Sequence, residues 1–292
     1  MKKDSSLTFD IFNYAVQIAI TLLCVYPFYY IFIYSISDPQ QAVKGVFIAP
    51  AGFTLLNYAT IFKLDHMLNS FVVSVLRTVI GTAVTVLCCS WFAYAVTKNE
   101  LYFRKLIYRF LVVTMYFNAG LIPWYLTMKA LGLKNSFLLY ILPGAISAFY
   151  VVLLKTFIEQ LPKALEESAM IDGAGFLKIF VRIIFPLSMP IVATIAVFSA
   201  VGQWNTWMDN YFLVSSDRLQ TLQLVLYNYL TQAQQIVNSS NMQDLNRGLA
   251  TKVSPESIRI TITMVVTIPV MLVYPFLQRY FVKGIMLGAI KG

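Results

Sequence analysis

The sequence predicts an all-α integral membrane protein with six transmembrane helices. Three observations carry that expectation. The 292-residue chain is 59% apolar and only 12% charged, against about 25% charged residues in a soluble domain. Its mean hydropathy is +0.70. Six apolar stretches reach the roughly 20 residues a helix needs to cross a ~30 Å hydrocarbon core. They lie near Ile11–Ser37, Leu68–Thr97, Leu106–Thr127, Phe137–Phe157, Leu187–Met208 and Ile258–Phe281.

The first span holds 27 residues without a charge. A signal-peptide core has about 7–15, so this run reads as a retained helix behind a short tail, residues 1–10. The following loop carries FTLLNYATIF (Phe53–Phe62), which fits a short interfacial helix. In the second span Arg77 is the one charge well inside an apolar run. An intramembrane ion faces a partner or a watery cavity, but a long side chain also snorkels to the interface. Both readings stay open from sequence. Prolines interrupt most spans (Pro27, Pro123, Pro143, Pro190, Pro269, Pro275), which is tolerable where neighbouring helices re-satisfy the freed carbonyls. Small residues recur at Gly81 and Ala83, Gly144 to Ala148, and Ser199 to Gly202. They read as sites of close helix approach. Residues 209–257 form a second long loop, Asn- and Gln-rich, with TLQLVLYNYL (Thr221–Leu230) too short and too broken to span. It reads either as a segment folded over the mouth of the bundle or as a docking surface.

Basic residues set the orientation. With the N-terminus in the cytoplasm, inside segments hold thirteen Lys and Arg and the longer outside segments hold eight. The positive-inside rule then expects both termini in the cytoplasm of a multi-pass cell-membrane protein. The net charge of +9 belongs to this sorting and not to nucleic-acid binding. His66 is the only histidine, and Cys24, Cys88 and Cys89 sit in apolar runs, so no His-based catalytic cluster and no metal-ligand spacing exists. No GxxxxGK[ST] loop is present. A machine that uses ATP would therefore bind it on another chain.

Between the fourth and fifth spans lies an amphipathic bracket, residues 158–186, expected in the cytoplasm. Ile158, Leu161, Leu165 and Ala169 fall on one helical face. Glu159 and Lys163 are spaced as a favourable i,i+4 pair. Asp172-Gly173 reads as a turn, because glycine takes the positive φ that ends a helix. Phe176, Ile179, Phe180 and Ile183 make a second apolar face, and Pro186 closes it. A bracket with one dry face and one charged face suits a groove on a soluble partner.

The spacing of this bracket resembles the EAA loop of ABC-importer permeases of the binding-protein-dependent family. Glu167-Ser168-Ala169 stands for EAA, Gly173 follows after three residues, Ile183 after nine more, and Phe185-Pro186 stands for LP. The departures are Ser168 for Ala and Phe185 for Leu. FTLLNYATIF, Asn69-Ser70, Trp204-Asn205 and the ending GIMLGAIKG (Gly284–Gly292) are similar to segments of the carbohydrate-type, maltose-permease-like members. The second permeases of complex-polysaccharide and lipo-oligosaccharide importers look nearest.

The resemblance implies a type I importer permease fold: a domain over residues 11–281 containing the bracket, and a cytoplasmic tail over residues 282–292. It implies a transport subunit that is not itself an enzyme and imports oligo- or polysaccharide by alternating access. The partners implied are a second permease, two ATPase subunits carrying ATP and Mg, an extracytoplasmic solute-binding protein and membrane lipid. ATPase coupling would fall to Glu166, Glu167, Ser168, Ala169, Asp172, Gly173, Ile183 and Pro186. A second ATPase contact would come from Leu287, Gly288, Lys291 and Gly292. Sugars stack on aromatics and need hydrogen bonds to their hydroxyls. Asn118, Trp124, Tyr125, Trp204, Asn205, Trp207, Asp209 and Asn210 supply both, although interfacial belt aromatics would read the same way. The alternative function is a permease of the same superfamily for a non-sugar solute.

Overall fold

The computed structural model describes residues 7–63, 66–238 and 255–289. The chain is nearly all helical, and the described residues contain no strand beyond one isolated bridge between Ser37 and Phe53. It divides into two units, residues 1–67 with 226–268, and residues 68–225 with 269–292.

The first unit begins with α1 (Leu7–Ser35), whose apolar side chains stand exposed along most of its length. A four-residue helix, α2 (Pro39–Ala42), follows, and Asp38 caps it by accepting from the Gln40 and Gln41 amides. The short helix expected in FTLLNYATIF is α3 (Leu56–Phe62). Asn57, fully buried, donates from Nδ2 to the carbonyls of Ser35 and Ser37, each at 2.9 Å. Tyr58 Oη lies 2.9 Å from Ser35 Oγ. Asn57 thus ties off carbonyls at and just past the end of α1 that lack helical partners, and Tyr58 holds the Ser35 hydroxyl.

The second unit opens with α4 (Met67–Thr97), an unbroken apolar rod. The third expected span is not one helix. It is α5 (Arg104–Thr114) and α6 (Leu121–Ala130), separated at Gly120, whose φ is +84°. Asn118 Oδ1 accepts from the Gly120 amide at 2.9 Å and holds that turn. The fourth expected span is broken too, into a 3-10 turn (Phe137–Tyr140) and α7 (Ala148–Ile158). Pro143 sits in the break, where it lacks a donor and disfavours a helical residue before it. Thr85 Oγ1 of α4 donates to the freed Gly144 carbonyl at 2.8 Å. The Cys89 thiol accepts from the Ser147 amide at 3.3 Å. The break is therefore re-satisfied from a neighbouring helix.

The bracket follows as α8 (Ala164–Ile171) and α9 (Phe176–Ile179). From α9 the chain passes through a π turn (Phe180–Ile184) into α10 (Phe185–Leu187). Pro186 cannot bond the carbonyl four residues back and its ring crowds it. The wider turn relieves that, with the Phe185 amide reaching Phe180 O instead. An 80° bend then separates Phe176–Leu187 from α11 (Met189–Asn205). Next come α12 (Met208–Leu213), α13 (Leu222–Asn238) and α14 (Pro255–Ala289). The last helix runs through Pro269 and Pro275 to Ala289, beyond the expected span end at Phe281.

Among the described residues, three helices are long and apolar enough to cross a membrane: Phe9–Ser35, Met67–Thr97 and Glu256–Val273. The bent pair makes a fourth if counted as one span. The other two expected spans are the broken ones.

Candidate functional site

Two side-chain clusters of the second unit hold most of the residues singled out from sequence. The first is the bracket. Its inner face packs Ala169, Ile179, Phe180 and Ile184 against Ala93 and Tyr94 of α4 and Val151, Leu154 and Ile158 of α7. Trp91 and Tyr94 both approach the Phe180 ring, at 5.0 and 5.3 Å between centroids. Ala169 is 9% exposed, so a larger side chain there would overpack the cluster.

The turn closes as the sequence expects. The Ala174 amide donates to Ala169 O at 2.9 Å and the Gly173 amide to Met170 O at 3.0 Å. This is a Schellman ending, with Gly173 at φ +73°. A Cβ on Gly173 would meet nothing within 4 Å, so backbone conformation alone calls for glycine.

One expected pairing is corrected. Glu159 pairs with Lys155 at 2.7 Å and not with Lys163. The helix of Glu159 ends at Ile158, so the i,i+4 spacing to Lys163 crosses a turn and loses its meaning. Glu166 reaches back to Lys98 at the end of α4, and the Lys98 ammonium also lies 4.2 Å from the centre of the Tyr94 ring. Arg104 donates to Thr97 O at 3.1 Å, a cation on the C-terminal carbonyls of α4. Between Thr97–Arg104 and Ile158–Lys163 with Glu166, Glu167 and Met170 opens a polar cleft of about 570 Å³.

The outward face of the bracket is a crown of apolar and acidic groups. Ile171 is 86% and Leu177 63% exposed. Glu167, Ser168 and Asp172 are exposed on α8 and its turn, Pro186 is exposed farther on in α10, and Ile183 is half-buried against the inner cluster. The crown residues Ile171 and Leu177 escaped the sequence reading. The signal was there: both interrupt the polar side of an otherwise amphipathic pattern.

The second cluster lies toward the opposite end of α4, and Arg77 organises it. Arg77 is 3% exposed. Its Nη1 and Nη2 donate to the two carboxylate oxygens of Asp209, at 3.1 and 2.5 Å. Nη1 also reaches Thr206 O, and Nε reaches Gln203 Oε1, each at 3.1 Å. The Tyr140 ring covers the guanidinium at 4.5 Å. Of the two readings left open for Arg77, the structure shows the partnered one.

Around this centre, Asn210 Nδ2 donates to Tyr140 Oη and to Leu219 O, and Asn210 Oδ1 accepts from the Thr221 amide. Tyr140 Oη donates to Leu219 O at 2.6 Å. Ser74 Oγ accepts from the Leu222 amide at 2.8 Å. Asn69 Nδ2 donates to Arg218 O at 2.7 Å. The segment after Trp204-Asn205 is thereby laced to α4.

The structure brings Trp204, Trp207 and Asp209 to this region. Trp204 is buried edge-on to Phe71, and Trp207 is half-buried edge-on to Tyr211. Trp124 and Tyr125 pack beside Val73, Leu139, Tyr140 and Leu213. Asn118 and Asn205 are exposed, and the Asn118 carbonyl is used by its own turn. Leu287 and Gly288 lie in the backbone of α14, while Lys291 and Gly292 fall outside the described residues. Sequence reasoning missed Tyr140 and Gln203 and could not pair Arg77 with Asp209, which stand 132 residues apart.

Comparisons with known proteins agree on one relationship. A family described as binding-protein-dependent transport system inner membrane component matches residues 87–287, which include the bracket and Trp204-Asn205. The polygalacturonan/rhamnogalacturonan transport system permease protein YtcP of Bacillus subtilis (strain 168) is 39% identical over 97% of this chain and 98% of its own. Protein LplC of the same organism is 36% identical over 97% of this chain and 95% of its own. Among solved structures, a chain of a bacterial ABC transporter involved in the import of the acidic polysaccharide alginate superposes with a TM-score of 0.85. It is 29% identical, with 96% of this chain and 99% of that one covered.

Proposed function

The chain belongs to the family of inner-membrane components of binding-protein-dependent transport systems, and on that premise we propose that it is a permease subunit of an ATP-driven importer of oligo- or polysaccharide. The sugar follows from the kinship with the polygalacturonan/rhamnogalacturonan permease and with the alginate importer. The chain pairs with a second permease around one path. Two ATPase subunits carry ATP and Mg, and an extracytoplasmic binding protein delivers the cargo. The chain is catalytically silent by itself. Both termini face the cytoplasm of the cell membrane, and six passages cross it, two of them as broken helices.

The observation that carries this reading is the bracket's division of labour. Its inner face is locked to α4 and α7, its turn is closed by its own backbone, and its crown presents Ile171 and Leu177 beside Glu167 and Asp172. A rigid lever with an apolar tip seats in an ATPase groove and passes its movement to the helices it is packed on. Glu166, Ala169, Gly173, Ile183 and Pro186 then shape the lever, and Glu167, Ser168 and Asp172 face the groove. Alternating access follows from rocking of a bundle with two discrete packings. The C-terminal residues Leu287, Gly288, Lys291 and Gly292 are retained as a second ATPase contact.

The double variant Ile171→Asp/Leu177→Asp tests the reading in the assembled complex. Uptake of a labelled galacturonate trimer should fall by about two orders of magnitude, as expected when hot-spot residues of an interface are lost, and the ATPases should no longer co-purify. Undiminished uptake with the ATPases retained would remove the coupling role.

A further inference from the structure

Gln203 stands one residue before Trp204, near the end of α11 and inside an apolar run. Its Oε1 accepts from Arg77 Nε. Arginine has no acceptor to offer, so this bond fixes which way the amide is turned: oxygen toward Arg77, nitrogen away. The nitrogen enters a notch between two glycines of other segments. A Cβ on Gly81 of α4 would lie 2.7 Å from Nε2, and a Cβ on Gly144 in the break before α7 would lie 3.3 Å from it. Neither glycine has a positive φ, so what the two positions share is the room they leave for this amide. The small residues at 81 and 144, expected to serve close helix approach, also make room for a polar side chain.

Among the described residues Nε2 meets no acceptor, and the half-buried side chain is not fully sealed from its surroundings. A polar group held in an apolar bundle is costly unless it finds a partner.

We propose that Gln203 Nε2 is a hydrogen-bond donor to the hydroxyl or carboxylate oxygens of the passing sugar chain, with Arg77 as the positioning residue that holds the amide in that orientation. Asp209, which the sequence offered as a cargo contact, has both carboxylate oxygens on Arg77 and acts through it. The proposal rests on the carbohydrate-import reading.

Gln203→Glu separates a donor from a mere partner of Arg77. Glutamate keeps the size and the acceptor that Arg77 uses, but it loses the donor and adds a charge. Its uptake is measured with a labelled galacturonate trimer and with the methyl ester of that trimer, each relative to wild type. We expect a fall of about tenfold or more for the acid, carried by KM, since a hydrogen bond to a charged group is lost. A smaller fall is expected for the ester, whose hydroxyls can still donate to Glu. Gln203→Met, which removes donor and acceptor together, should lower both. Wild-type uptake by Gln203→Glu would overturn the proposal, and so would an equal fall for acid and ester with KM unchanged, which would assign Gln203 to the scaffold. Failure of the wild-type complex to import either probe would instead remove the import reading and this proposal with it.

Discussion

The two ends of α4 each hold a cation paired with a distant carboxylate, and they are built to opposite purposes. Roughly 30 Å of helix separates Arg77 from Lys98 at 1.5 Å per residue. Arg77 and Asp209 have side-chain exposures of 3% and 10%, and the guanidinium also carries two oxygen acceptors and an aromatic face. Lys98 and Glu166 stand at 14% and 20%, with the Tyr94 ring beside the ammonium. A buried pair is unforgiving: removing one partner leaves an uncompensated charge, at a cost of about 3–5 kcal/mol. The less buried Lys98–Glu166 pair costs less to break than that. One end of the rod is thus fixed to the Trp204-Asn205 segment by a buried ion pair, and the other holds the bracket by apolar packing with a looser ion pair at its edge. A lever that passes its movement into α4 needs the apolar packing to hold while the ion pair at its edge adjusts.

The sharpest way to break that contrast is Arg77→Met. It should lower stability by about 3–5 kcal/mol, seen as loss of the folded, assembled subunit in detergent. Arg77→Met/Asp209→Leu should recover most of the loss, since an apolar pair of similar volume often replaces a buried ion pair at little cost. If the single variant melts like wild type, the clasp is not the fixed end.

Gly173→Ala comes next. The space around it is open, so the penalty is the left-handed backbone alone, about 1–2 kcal/mol. Amide hydrogen exchange should quicken over residues 164–180 and stay unchanged near Arg77. The smallest effect belongs to Lys98→Gln, below about 1 kcal/mol, read as faster exchange in α8. Added salt should reproduce it in part in the wild type, since the pair is part-buried, and leave the Arg77 end untouched.

How much of this was legible in the sequence depends on distance along the chain. The bracket was legible because its signals are local: Asp172-Gly173 is a turn by backbone preference, and Pro186 restricts its own neighbourhood. FTLLNYATIF was legible as a helix, but not as the device by which Asn57 closes the end of α1. The breaks at Gly120 and Pro143 were hidden because an apolar run with a proline can be a kinked helix or two helices. At Pro143, which one forms depends on Thr85 and Cys89, more than fifty residues away, meeting the freed backbone groups, whereas the Gly120 turn is held by its own Asn118. The Glu159–Lys163 pairing failed because periodicity was carried past a helix end. Arg77 could not be assigned at all, since its partner stands on a different helix, and Gly81 and Gly144 gave no hint that they make room for Gln203.

The central claim is that the bracket presents its crown, and not its inner face, to an ATPase. Single cysteines at Ile171 and at Ala169, each paired with a cysteine in the ATPase groove, test it most directly by cross-linking in the assembled complex. Ile171→Cys should cross-link efficiently and Ala169→Cys, turned into the core, should not. Cross-linking at position 169 with none at 171 would contradict the account.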